Sequence, residues 1–248
     1  MPDALLSVRH LSKRFGGLMA LASVDFDVAE GDIFGIIGPN GAGKTTLFSC
    51  IVGAQTPTTG EIRFRGERID GLPNHTVVKR GVVRTHQLVR PFRAMTVADN
   101  VAIGAHFGSG KHRGARAERR VRDILERTGL ASVSGSLAGT LSIGQLKRLE
   151  IARALATEPK VICLDEVMGG LNPAEIVSAM ALIRSIRDSG VTVLMIEHHV
   201  HAVVGVSTRI LVLNFGERVA EGPPQEVIRN PAVISAYLGD EAAGAEED

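Results

Sequence analysis

GPNGAGKTT, Gly38–Thr46, decides how this chain of 248 residues is read. It follows IFGII (Ile33–Ile37), a short apolar run that reads as a buried strand. It precedes LFSCIVG (Leu47–Gly53), which reads as the opening of a helix. Strand, loop and helix in that order are the context that the Walker A pattern G-x-x-x-x-G-K-[ST] requires. Gly38, Gly41 and Gly43 remove the Cβ atoms that would keep a backbone from wrapping phosphate tightly. Pro39, Asn40, Ala42 and Thr46 complete the loop. Its N–H groups and the helix N-terminus then present partial positive charge to the anion. Lys44 reaches toward the β- and γ-phosphates, and the Thr45 hydroxyl is placed to ligate Mg²⁺. The loop predicts a site for a nucleoside triphosphate.

Composition narrows what such a protein does. At 44% hydrophobic the chain has enough apolar material for a sizeable core, and its length suits one large α/β domain or two small ones. A net charge of +1 gives no global attraction to nucleic acid or to an anionic membrane. Cys50 and Cys163 lie in apolar runs, which points to buried thiols and a reducing cytoplasm rather than a disulfide framework. MPDALLSVRH lacks the layout of a secretion signal, and no apolar run approaches the ~18–20 residues that span a bilayer. Any membrane role is therefore expected to run through a partner.

Outward from the loop, Leu5–His10, Val24–Val28 and Glu61–Arg65 alternate apolar and polar residues, as half-buried antiparallel strands do. Ile33–Ile37, Val161–Leu164 and Val191–Ile196 are continuous apolar runs, as expected of parallel strands covered on both faces. Helical patterns occupy Ala117–Thr128, Gly144–Thr157 and Pro173–Asp188. Two short strands, Arg209–Leu213 and Arg218–Glu221, precede a helical end over Pro224–Leu238. The basic run Lys111–Arg122 has no interleaved aromatic residue for base stacking, so it reads as a loop leading into a solvated helix face, with no nucleic-acid partner.

Two further segments carry chemistry. VICLDE (Val161–Glu166) is an apolar strand ending in two acids. Asp165 is placed to hold Mg²⁺, directly or through water. Glu166, one residue on, is the candidate general base for the water that attacks the γ-phosphate. LSIGQLKRLEIARAL (Leu141–Leu155) puts Ser142 and Gly144 at a helix N-terminus, which is a second phosphate-binding arrangement. One domain has no use for two γ-phosphate sites, so this one is expected to serve a nucleotide bound to another subunit. His198, His199 and His201 do not read as a metal site, because their spacing is not that of a helix face and only Glu197 accompanies them.

The phosphate loop, LSIGQ and VICLDE in this order resemble an ATP-binding-cassette (ABC) ATPase, over essentially Leu5 to Leu238. The resemblance implies an α/β P-loop NTPase, ABC-cassette fold: a mixed central sheet, an antiparallel β subdomain and an α-helical subdomain at about residues 88–158. These form a single domain over residues 1–240, with an acidic, disordered tail at 241–248. It implies two cassettes meeting head to tail, each ATP held between one phosphate loop and the other's signature, Ser142–Gly144–Gln145. Phe15, in LSKRFGG, matches the aromatic that stacks on adenine; its other reading is an ordinary core phenylalanine. Gln87, in RTHQLVRPF, matches the glutamine that senses Mg²⁺ and the attacking water; its other reading is a polar loop residue. His198, in MIEHHV, matches the histidine at the γ-phosphate. His86, Ile143, Val167 and His199 depart from the usual residues of the family.

RFGGLMAL, THQLVRPFRAMTVADNV, GGLNPAE and EGPPQEVIRNPAVISAYLGDE resemble the cassettes of branched-chain amino acid importers, the LivG-like group, which shares Asn172 in place of Asp. That resemblance implies an ATPase on the inner face of the cell membrane. Its partners would be a second cassette, identical or different, two transmembrane permease subunits and, indirectly, an extracytoplasmic substrate-binding protein. The alternative is a soluble ABC ATPase of the iron–sulfur cluster assembly type, which matches the chain in size.

Overall fold

A computed structural model describes residues 4–85, 91–108 and 114–244, with side chains as far as Tyr237. The chain forms two compact units, Met1–Asn74 with Leu194–Asp248, and His75–Val193.

In the first unit, β1 (Leu6–Phe15) and β2 (Leu18–Val28) form a hairpin. β3 (Ile33–Ile37) leads into α1 (Lys44–Ile51), and β4 (Thr59–Phe64) and β5 (Glu67–Arg68) follow. The alternation in β1 becomes a two-faced strand: Leu6, Val8 and Leu11 are fully buried. Its register is Leu6 to Val28 and Val8 to Phe26 on one side, and Leu6 to Phe64 and Val8 to Ile62 on the other. The antiparallel sheet runs β2-β1-β4-β5. β3 is buried at every position, as its unbroken apolar run requires. The Phe34 ring stacks on Phe26 of β2 at 5.4 Å between centroids, which joins the antiparallel sheet to the strand that carries the phosphate loop.

The second unit takes up α2 (Asn74–Arg80), β6 (Val82–Arg84), α3 (Val97–Phe107), α4 (Ala115–Arg127), α5 (Ile143–Ala156), β7 (Val161–Asp165) and α6 (Pro173–Asp188). β6 and β7 pair in parallel, Val82 to Val161 and Arg84 to Cys163. Helices α3, α4 and α5 pack on one another. α4 buries Ala117, Val121, Ile124 and Leu125 and exposes Arg116, Arg119 and Arg122, so the described part of the basic run is a helix with one solvated face. Burial pushes the Cys163 thiol up to about 12 and the Cys50 thiol up to about 11, which keeps both neutral and unreactive.

Within β8 (Thr192–Ile196) the chain returns to the first unit, where α7 (Val200–Val206), β9 (Arg209–Asn214), β10 (Glu217–Gly222), α8 (Pro224–Val227) and α9 (Pro231–Gly244) complete it. There the strand order is β10-β9-β3-β8. β9 runs parallel to β3 and β10 antiparallel to β9, so the sheet is mixed. Among the described residues no helix is long and apolar enough to cross a membrane.

The α/β reading, the two sheets and the three internal helices read at Ala117–Thr128, Gly144–Thr157 and Pro173–Asp188 stand. Elements without a clean sequence pattern appear in addition. α3 hides from periodicity because its stripe includes the fully buried Asn100. Its amide accepts from Phe92 N at 2.9 Å and donates to the carbonyls of Phe92 and Thr96, so it caps a loop from inside the core. The single closing helix read over Pro224–Leu238 is two, separated where Pro231 starts a new turn behind Asn230.

Candidate nucleotide-binding site

The Gly38–Thr46 loop leaves the end of β3 and enters α1 directly. Two of its glycines are required sterically. At Gly38 a Cβ would stand 2.0 Å from the Leu213 carbonyl oxygen of β9, and at Gly43, with φ +96°, it would stand 2.4 Å from the Ala20 carbonyl oxygen of β2. The loop is thus pressed between neighbouring backbones, and only glycine fits at either point. Gly43 is also the N-cap of α1 and offers no side chain to it. The N-terminus of α1 thus has no side-chain cap from its own N-cap residue, and it is the end of a helix that favours an anion. Lys44 is 6% exposed, and its ammonium donates to the carbonyls of Gly38 at 2.6 Å and Pro39 at 2.7 Å. These bonds hold the charge over the loop in advance of a phosphate. Thr45 is exposed.

Phe15 ends β1 and pairs with Leu18 across the hairpin. It is 42% exposed with Lys13 Nζ 4.8 Å above its ring, which removes the reading of an ordinary core phenylalanine. Its hairpin reaches the loop through Ala20. The turn between β9 and β10 reaches it through Gly216, whose N–H donates to the Ala42 carbonyl at 3.1 Å. From the far end of the chain Tyr237 arrives in α9. Burial pushes its phenol up to about 12. His198 is exposed immediately after β8, the strand beside β3.

In the second unit β7 ends in Asp165, whose side chain is fully buried. One carboxylate oxygen takes a charge-assisted bond from Arg84 of β6. The other, Oδ1, is buried without a hydrogen-bond partner among the described residues. A hard carboxylate oxygen left unsatisfied in the interior is what a Mg²⁺ ion or its bound water completes, so the donor set fits that ion. Removing Arg84 would strand the Asp165 charge. Arg84→Met is expected to lower unfolding stability by about 3–5 kcal/mol, read as a shift of the denaturation midpoint in urea.

Glu166 follows with φ +50°, a left-handed backbone that costs a non-glycine residue about 1–2 kcal/mol. Its carbonyl accepts from Lys147 Nζ at 2.6 Å and from the Gly169 N–H at 3.3 Å. α5 begins with a full capping box: Ser142 Oγ accepts from Gln145 N at 3.3 Å, and the Gln145 side chain accepts from Ser142 N at 3.0 Å. α6 begins the same way, with Asn172 and Glu175 in those roles and Pro173 in its first turn. Glu175 closes on Gly144: a Cβ there would stand 2.8 Å from its carboxylate. The first unit thus gathers Phe15's hairpin around the phosphate loop, and the second joins Asp165 and Glu166 to the helix begun by Ser142, Gly144 and Gln145. Gln87 and His86 lie outside the described residues. Sequence reading missed Arg84 and Lys147, whose partners are 81 and 19 residues away.

A strand–loop–helix phosphate cradle and a buried strand ending in two acids, on these sheets, define a P-loop nucleotide-binding protein. A family model described as ABC transporter matches residues 21–169, and one described as branched-chain amino acid ATP-binding cassette transporter matches residues 217–243. The chain belongs to the ABC transporter family of ATP-binding cassettes. Over 97% of its length and 100% of theirs, it is 43% identical to the high-affinity branched-chain amino acid transport ATP-binding protein BraF of Pseudomonas aeruginosa and 41% identical to LivG of Escherichia coli. Among solved structures it is similar to MJ1267, an ABC transporter cassette in its ADP conformation, with TM-score 0.87 and 31% identity over 96% of this chain and 99% of that one. It is also similar to the dimeric cassette MJ0796 in a post-hydrolysis state bound to ADP and Pi, with TM-score 0.78 and 26% identity over 88% of this chain and 98% of that one.

Proposed function

We propose that this chain is the ATP-hydrolysing subunit of an importer for branched-chain or related amino acids, working as one cassette over residues 1–240 with its helical part at about 88–158 and an acidic tail beyond. The observation that carries the proposal is its correspondence, end to end, with the amino-acid transport cassettes BraF and LivG. The same correspondence favours an importer over a soluble ATPase of iron–sulfur cluster assembly.

In this reading Phe15 stacks on the adenine, and Gly38–Thr46 wraps the phosphates with Lys44 on the β- and γ-oxygens. Thr45, Asp165 and Gln87 would hold Mg²⁺, which neutralises charge on the phosphate oxygens when bound. Glu166 takes the proton of the attacking water, and His198 contacts the γ-phosphate. Ser142, Gly144 and Gln145 receive the γ-phosphate of a nucleotide bound to a second cassette, identical or different. ATP closes the pair because it supplies contacts that exist only in the closed state. Loops of two permease subunits resting near Gln87–Asp99 are drawn inward with it, and loss of the γ-phosphate lets the pair reopen. The chain then works from the cytoplasmic face of the membrane, and an external binding protein delivers the substrate.

Deleting the gene is expected to abolish high-affinity uptake of leucine, isoleucine and valine, and supplying the chain in trans to restore it. Unchanged uptake of all three, with the chain co-purifying only with soluble proteins, would overturn the proposal.

A further inference from the structure

We propose that Lys147 is a positioning residue for Glu166, holding the catalytic carboxylate in place through its backbone. Resting on the reading of Glu166 as the general base, the argument is one of geometry. Glu166 sits between a buried strand and a turn, and its φ of +50° is one that side-chain-bearing residues avoid. Once β7 has fixed Asp165, the direction of the Glu166 side chain depends on that φ and on the plane of the peptide that follows it. That plane is pinned by its carbonyl oxygen, which receives the Gly169 N–H at 3.3 Å from within the turn and the Lys147 ammonium at 2.6 Å from outside it. The second bond is short and charge-assisted, the stronger kind. It also comes from a rigid source, because α5 is capped at both Ser142 and Gln145 and buries Leu149, Ile151 and Ala152 just beyond Lys147. Lys147 therefore ties the helix expected to meet the partner's nucleotide to the residue expected to act on the chain's own. Lysine suits the task, because its ammonium donates to a carbonyl whatever its rotation, and arginine keeps the charge and the donors.

The test uses Lys147→Met, which keeps the apolar stem, and Lys147→Arg, which keeps the donor. In the full chain assembled with its partner subunits, Lys147→Met is expected to lower kcat about tenfold, the worth of one charge-assisted bond, with KM for ATP changed less than about twofold. Lys147→Arg should recover most of the loss. In the isolated full chain, hydrogen exchange at the amides of Val167–Leu171 should speed up in Lys147→Met and return toward the parent in Lys147→Arg. A parent kcat, unchanged exchange over that turn, or equal impairment in both variants overturns the proposal. Glu166→Gln serves as the separate control. If it turned ATP over at the parent rate the role of Glu166 would fall, while the exchange data would still report whether Lys147 holds the turn.

Discussion

Glu166→Gln is expected to yield a chain that binds ATP normally and scarcely hydrolyses it. The substitution keeps shape and leaves the left-handed backbone, the Lys147 bond to its carbonyl and the turn to Gly169 untouched, since all three belong to the main chain. What it removes is the acceptor for the proton of the attacking water. A positioned general base contributes about 10²–10⁴-fold, so kcat should fall by that factor with ATP affinity unchanged. The assembled cassettes should then accumulate in the closed, ATP-bound state. Equilibrium binding of labelled ATP beside steady-state phosphate release checks both halves of the expectation. Hydrolysis at the parent rate removes Glu166 from the mechanism.

Lys44→Met should fail one step earlier. The Lys44 ammonium is buried and already held over the loop by the carbonyls of Gly38 and Pro39. Little ordering is needed when phosphate arrives, which is why the group is effective. Methionine preserves the stem and deletes the charge. Bonds from an ammonium to phosphate oxygens are worth about 1.5–3 kcal/mol each, so losing two lowers ATP affinity about 10²-fold or more. Titration of a fluorescent ATP analogue measures this directly. The pair of variants separates the roles: Lys44→Met loses binding, and Glu166→Gln keeps binding and loses turnover.

The parts of this site that are local in the chain were legible in the sequence. Gly38–Thr46 announces itself because strand, glycines, lysine and helix are consecutive, and VICLDE because four buried apolar residues precede its acids. Ser142 was likewise in view at its helix start, since its cap spans only three residues, whereas the same cap at Asn172 was not read. Contacts between distant segments were not legible. Nothing near Arg84 marks it as the counter-charge of Asp165, which lies 81 residues on. The reason that Gly38 must be glycine, the Leu213 carbonyl of β9, is equally remote. Phe15 was ambiguous because an aromatic residue at a strand end serves a core or a ligand equally well, and only its exposure beneath Lys13 removes the core reading. α3 went unread for a different reason: Asn100 breaks the apolar stripe while lying fully buried.

Ser142, Gly144 and Gln145 form a capped helix start that, by proposal, completes a site on another subunit, so hydrolysis should require a pair of cassettes. The most direct test measures ATPase activity per molecule as a function of concentration, with the fraction of monomer followed by sedimentation in the same samples. A composite site predicts activity per molecule that rises in proportion to the paired fraction, or that appears on titration with a different partner cassette. Robust activity per molecule that stays constant with dilution in a proven monomer would contradict it.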